Sequence, residues 1–171
     1  MGPISLDIGI DAPREAVFDR ICDLSRRESW TDHFVSDLRL ERMEPSGRGA
    51  AARFRVDAPG GVQFAETVID VAERPSTISE RGRGGRSDRV GIRTNWELRG
   101  GEGSLTEVTL TFWTEPGSFL DRVRDVRAGG WWKRRWRRAL QRLRDEIESG
   151  DEQGEPVRVG GGDRRPTGFS Q

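Results

Sequence analysis

One stretch near the C-terminus limits what this chain can fold into. Between Phe119 and Ser149, residues Trp132, Trp136, Leu140, Leu143 and Ile147 recur at steps of four, four, three and four. A 3.6-residue turn returns such positions to one side of an α-helix. Phe119, Leu120, Val123 and Val126 extend the stripe upstream, with a bend or loosening expected at Gly129-Gly130. The other side carries Lys133, Arg134, Arg135, Arg137, Arg138, Arg142 and Arg144. A helix so divided, arriving after a long series of strand-like segments, needs a concave apolar surface to lie in.

The upstream chain can supply one. Ile4, Leu6, Ile8 and Ile10 alternate with Ser5, Asp7 and Gly9, the period of a half-buried strand. Asp11-Ala12-Pro13 then opens a helix, with Asp11 or Ala12 near the cap, Pro13 in the first turn, and Ala16, Val17, Ile21 and Leu24 inward. Ser25 to Trp30 forms a second short helix or turn. From Phe34 to Glu115 strand-like runs over 34–44, 48–57, 61–72, 76–83, 88–99 and 104–114 are separated by short Gly- and Pro-rich breaks. Breaks this short join antiparallel neighbours. The alternation of Val90, Ile92, Thr94, Trp96 and Leu98 with polar residues implies one apolar face and one wet one. The long helix is the element able to cover the apolar face. The fold class is therefore α+β: a curved seven-stranded antiparallel sheet around a long C-terminal helix, with two short helices between strands 1 and 2. The domain occupies residues 1–149, and the Gly-, Pro- and charge-rich residues 150–171 form a disordered tail.

Order and local phrases resemble the START-like, or helix-grip, superfamily that includes the polyketide cyclase/dehydrase and lipid-transport-like proteins. Ile8-Gly-Ile-Asp-Ala-Pro-Arg-Glu-Ala-Val-Phe18 is similar to that family's first strand and following helix. Arg27-Glu-Ser-Trp30 with Asp32-His33 resembles its "rWpeW" turn, though the second tryptophan is absent. Arg48 to Val71 and Glu73-Arg-Pro75 resemble its middle strands. Over residues 3–148 the resemblance implies a curved sheet wrapped round the last helix, with a cavity between them that holds a hydrophobic ligand in many members. It does not imply one activity.

Several functions find no support. Twenty-nine basic residues balance 29 acidic ones, so no global field favours nucleic acid. Cys22 is the only cysteine and packs as a small apolar residue. One His and one Cys make no His/Cys metal site, and neither a metal nor a cofactor is expected. Gly82-Arg-Gly-Gly lacks the spacing of a dinucleotide fingerprint and is taken as a hairpin turn. No basic region precedes an apolar run at the N-terminus and no apolar run reaches the ~18 residues of a span, which points to the cytoplasm. The basic run from Lys133 to Arg138 is a solvated helix face whose arginine stems cover apolar surface; weak contact with a membrane surface suits the same residues.

Candidate chemistry comes down to a few groups. Should Phe64 and Val68 face the cavity, Glu66 lies between them on the same face, where burial would raise its pKa; otherwise it pairs with an arginine or sits in water near the mouth. Glu80 and Asp70 raise the same question near strand ends, where side chains are usually solvated. His33 has the range of a general base or is a surface or capping residue. Trp96, Trp132 and Trp136 stack on a flat ligand or are plain core. Trp113 points opposite to Phe112 and would be exposed.

The leading expectation is binding, without catalysis, of a small hydrophobic molecule such as a lipid, quinone or polyketide. Its walls would be Ala52, Phe54, Phe64, Ile92, Leu110 and Phe112, with Trp96, Trp132 and Trp136, and Glu66 with Thr94 would orient it. The alternatives are a polyketide cyclase/dehydratase-type enzyme using Glu66 or His33, and an interaction module using the arginine-rich helix.

Overall fold

The computed structural model describes residues 2–59, 61–85, 89–117, 119–150 and 158–159, with the backbone alone at 119–127 and 158–159. Strand β1 (Ile4–Asp11) leads into α1 (Arg14–Cys22), a 3-10 turn (Leu24–Arg26) and α2 (Arg27–Thr31). A meander follows: β2 (Val35–Leu40), β3 (Ala51–Ala58), β4 (Gly61–Glu73), β5 (Thr77–Gly84), β6 (Val90–Gly100) and β7 (Leu105–Glu115). Helix α3 (Phe119–Ser149) closes the domain. The strands lie in the order β1-β7-β6-β5-β4-β3-β2, all antiparallel, as alternation and short turns require.

Register gathers the apolar residues on one face. Ile4, Leu6, Ile8 and Ile10 stand opposite Phe112, Leu110, Val108 and Thr106, and Trp96 and Leu98 stand opposite Leu110 and Val108. Helix α3 lies against that face through Trp136, Ala139, Leu140 and Leu143, all buried. Its far end is fastened by polar contacts. Glu148 accepts from the Asp11 amide at 2.9 Å, Glu146 accepts from Ser29 Oγ at 2.9 Å, and Arg142 forks onto Asp32. The expected antiparallel sheet gripping a long helix is thus present.

Some local expectations change. Helix α3 runs unbroken through Gly129-Gly130, because the bulky residues that follow hold it to the sheet. Pro13 sits at the N-cap of α1 rather than in its first turn, with extended ψ of 138°. Phe18 replaces Ala16 on the inner face of α1, leaving Ala16 exposed. Gly82 is a strand residue: a Cβ there would collide with the Glu66 carbonyl oxygen, so its bareness lets β5 close on β4. The turn itself falls at Gly85, at a φ of 80° that L side chains avoid. Cys22 is buried as expected, its Sγ accepting from the Gly47 amide. Most of the C-terminal tail, and the side chains of Phe119, Leu120, Val123 and Val126, lie outside the described residues. Arg158–Val159 (β8) pairs in parallel with Arg39 and Leu40 at the β2 edge.

Candidate ligand site between the sheet and the helix

Burial along the inner face changes from one end of the molecule to the other. At the end where α3 terminates and α1 packs, Ile10, Val17, Ile21, Leu24, Ile69 and Leu143 are wholly enclosed. At the opposite end, Ile4, Phe54, Ala58, Ile92, Trp131 and Trp132 touch the core yet remain partly exposed, whereas at the enclosed end only the rim residues Ile8, Ala72 and Ile147 do so. These six come from β1, β3, β6 and α3, so the partial exposure is not confined to one frayed strand. Backbone pairing confirms their neighbourhood: Phe34 O accepts from the Asp57 amide at 3.0 Å, and Phe34 packs on both Trp131 and Trp132 at 6.1 Å. The grip is closed at one end and looser at the other.

Between the ends lies an aromatic layer. Trp30, Phe34, Trp96, Phe112, Trp131, Trp132 and Trp136 contact one another with centroid distances from 4.7 to 6.5 Å. Most pairs are edge-on or tilted, arrangements the ring quadrupole favours. This layer floors the loose end. Trp96 and Leu110 are fully buried within it and below it, so they act as core rather than as walls. Phe112 and Trp132, tilted against each other with ring centres 4.7 Å apart, form the boundary.

Beneath the layer sits the one carboxylate enclosed by the sheet among the described residues, Glu80. Arg27 donates to it twice, Nη1 to Oε2 at 3.1 Å and Nη2 to Oε1 at 2.8 Å. Thr67 Oγ1 donates to Oε2 at 3.0 Å and Trp96 Nε1 to Oε1 at 2.9 Å. Burial by itself would push the Glu80 carboxyl up. The Arg27 charge, and hydrogen bonds from Arg27, Trp96 and Thr67, outweigh it and hold the group below the usual carboxylate range. Arg27 is held in turn: Nη2 also donates to Ile21 O at 3.1 Å, and its guanidinium lies 5.1 Å from the Trp30 ring centre. Strand-end position predicts a solvated Glu80. The structure buries it instead, because a partner 53 residues away arrives on α2.

Other predicted residues distribute as follows. Ala52, Phe54, Ile92, Thr94, Phe112, Trp132 and Trp136 do face the helix side, Ala52, Thr94, Phe112 and Trp136 being buried. Phe64 and Glu66 do not. In β4 the buried residues are Ala65, Thr67 and Ile69, so Phe64, Glu66 and Val68 occupy the outer face. Phe64 is 54% exposed and its ring meets the Arg53 guanidinium at 5.7 Å. Glu66 stands in register between Arg53 and Arg83. On that face Glu66 neither orients a ligand held between sheet and helix nor serves as an acid or base there. Asp70 pairs with Arg81 at 2.8 Å, and Trp113, half-buried, donates to Glu115.

His33 is enclosed between the start of β2 and α3. Its Nε2 lies 3.1 Å from the Arg135 carbonyl oxygen, and its Nδ1 is buried without a hydrogen-bond partner. Burial, with Arg138, Arg142 and Arg135 nearby, lowers its pKa against the opposing bond to the Arg135 carbonyl. The ring is therefore neutral near pH 7, with Nε2–H donating. Among the described residues no cluster of His, Cys, Asp or Glu could hold a metal, and no helix is long and apolar enough to cross a membrane.

A long helix held by a seven-stranded antiparallel sheet, packed solid at one end and loosened at the other, defines a helix-grip protein. Solved structures share this fold. The Zhui aromatase/cyclase of Streptomyces sp. R1128 superposes with a TM-score of 0.68 at 16% identity, over 85% of this chain and 93% of that one. A protein of Thermus thermophilus gives 0.66 at 18% identity over 88% and 99%, and a conserved protein of Geobacillus kaustophilus 0.67 at 15% over 86% and 96%. None of the curated proteins matches the chain in sequence. The family described as "Polyketide cyclase / dehydrase and lipid transport" matches residues 1–148, and the chain belongs to it.

Proposed function

We propose that this protein binds a small hydrophobic molecule (a lipid, a quinone or a polyketide-like compound) at the loose end of the grip, and does so without catalysis. The observation that carries the reading is the graded burial of the inner face. Ile4, Phe54, Ile92 and Trp132 keep part of their apolar surface uncovered above a floor of aromatic rings. Covering such surface with an apolar molecule is favourable by about 25 cal/mol per Å². The family description, which names both ring-forming enzymes and lipid transport, is consistent with an apolar guest. The absence of catalysis is supported by Glu80, whose oxygens already accept four hydrogen bonds and whose partner Arg27 keeps it ionised. It has no proton to give and no lone pair aimed at a guest.

Native mass spectrometry of protein purified from its own host is the test. A co-purifying mass lost on mild activation is the expected result. Protein that is always empty, and that also ignores a panel of fatty acids, quinones and aromatic polyketides, would end this reading.

A cyclase or dehydratase activity is favoured by one feature only, the unpartnered Nδ1 of neutral His33, whose tautomer is set by the Arg135 carbonyl. In that case His33→Gln abolishes turnover of a polyketide substrate while leaving its affinity within a few-fold.

A further inference from the structure

Helix α3 holds a block of positive charge that no acid among the described residues pairs with. Arg142 is tied to Asp32, and Arg144 to Asp145 and Glu148. Lys133, Arg134, Arg137 and Arg138, one turn earlier, are exposed and have no carboxylate partner among the described residues. Adjacent and next-turn positions form one stripe about 7.5 Å long on the solvent side of the helix. Because the chain carries equal numbers of acids and bases, this is charge segregated onto one surface, not an overall excess.

The stripe starts where the grip loosens. Trp131, the half-buried residue at its edge, packs on Phe34 and is capped by Arg135 at 5.4 Å. The bond from the Asp57 amide to Phe34 O brings the β3–β4 hairpin to the same end, and Val62 on that hairpin is 51% exposed. Cations, an indole at their level and an apolar hairpin flank therefore share one end of the molecule. A nucleic acid would use the charges but, among the described residues, would find no run of exposed rings beside them to follow. A bilayer uses all three features: phosphates for the cations, the headgroup layer for the indole, and the acyl boundary for the hairpin.

We propose that this end of the protein docks on an anionic lipid bilayer, with Lys133, Arg134, Arg137 and Arg138 over the headgroup phosphates and Trp131 at the interface. Docking there turns the loose end of the grip toward the membrane, so that an apolar guest passes between bilayer and protein without crossing water. The docking itself is measured with no guest, so its failure would leave the proposed ligand site untouched.

The experiment is co-sedimentation of the full chain with vesicles of phosphatidylcholine alone, or containing roughly 30% phosphatidylglycerol, in about 0.1 M salt. Binding is expected only with phosphatidylglycerol, and is lost in about 0.5 M salt. Replacing all four cations (Lys133→Gln, Arg134→Gln, Arg137→Gln, Arg138→Gln) should lower the partition coefficient about a thousandfold. The variant's melting temperature is measured alongside to show that it folds. Trp131→Phe, which keeps the packing on Phe34, should weaken binding several-fold. Equal binding to both vesicle types, no binding to either, or full binding by the folded four-cation variant would each overturn the proposal. So would displacement from the vesicles by an RNA oligonucleotide at matched phosphate concentration, which would reassign the stripe to nucleic acid.

Discussion

Removing one side of the Arg27–Glu80 pair should cost far more than removing both. Each partner is almost fully enclosed, with side-chain exposures of 7% and 2%, and the shortest contact between them is 2.8 Å. Two unit charges about 4 Å apart attract by roughly 4 kcal/mol at an effective dielectric constant near 20. Glu80→Leu leaves the Arg27 guanidinium buried with no counter-charge, a situation that typically costs about 3–5 kcal/mol. Arg27→Met leaves Glu80 with Thr67 and Trp96 as donors, and the carboxyl must take up a proton to remain inside. Together the two changes remove both charges and leave the Thr67 hydroxyl and Trp96 N–H short of an acceptor, at about 1–3 kcal/mol each. Equilibrium unfolding in urea of the four proteins of the cycle, with the m-value checked for two-state behaviour, measures the coupling. A coupling of at least about 2 kcal/mol is expected, with the double variant no less stable than Glu80→Leu. Additive losses, or a Glu80→Leu protein within about 1 kcal/mol of the parent, would refute the assignment of this pair as a buried structural clamp.

Three further outcomes follow from the same geometry. His33 has a folded pKa below its unfolded value of about 6.5, so acidification protonates the unfolded chain first and stability is lost as pH falls from that value. Burial raises Glu28 and Glu146, which gain stability as pH falls through their folded values and so oppose His33; thermal melts from about pH 8 to 5.5 should therefore show a steeper decline for the parent than for His33→Gln, and parallel curves would contradict this. Gly82→Ala, whose Cβ would collide with the Glu66 carbonyl oxygen, should cost about 2 kcal/mol or more in urea unfolding, whereas Gly100→Ala, with nothing within 4 Å, should change little. Glu66→Gln and Phe64→Ser alter the outer face of β4 and should leave guest retention in native mass spectrometry unchanged; loss of the guest would return Glu66 to the cavity.

Architecture was legible because it rests on local periodicity. The four-four-three-four stripe places α3, alternation places β1, β6 and β7, and short Gly- and Pro-rich breaks force an antiparallel meander. What escaped depends on contacts across the fold. In β4 both faces carry apolar residues, Phe64 and Val68 on one and Ala65 and Ile69 on the other, so period two cannot choose between them. The larger Phe64 points outward because the register of β4 on β3 sets Ala65 opposite Phe54 and Thr67 opposite Ala52. A register shift between Ile69 and Val71 then breaks the alternation within the same strand. Glu80 reads as solvated because charged residues near strand ends usually are. Its partner lies on α2, and Arg27 enters the sequence reading only as part of a tryptophan-containing turn. An arginine in a short helix beside tryptophans is the one available signal that a carboxylate has to be found inside. Of the residues proposed to line the ligand site, Phe54, Ile92, Phe112 and Trp132 follow from alternation plus the helix stripe. The division into a solid end and a loose end does not, because it depends on how α1 and α2 plug one end of the sheet.

The isoleucines report on both ends and offer the most direct test of a guest at the loose end. Ile4 and Ile92 stand there, while Ile21, Ile69 and Ile78 lie in the solid core. In methyl spectra of isoleucine-labelled protein titrated with a fatty acid or a hydrophobic aromatic ketone, the Ile4 and Ile92 δ1 signals should shift in a saturable way while the other three stay in place. Saturable shifts confined to Ile21, Ile69 and Ile78, or no saturable shift anywhere with either compound, would contradict a binding chamber at that end.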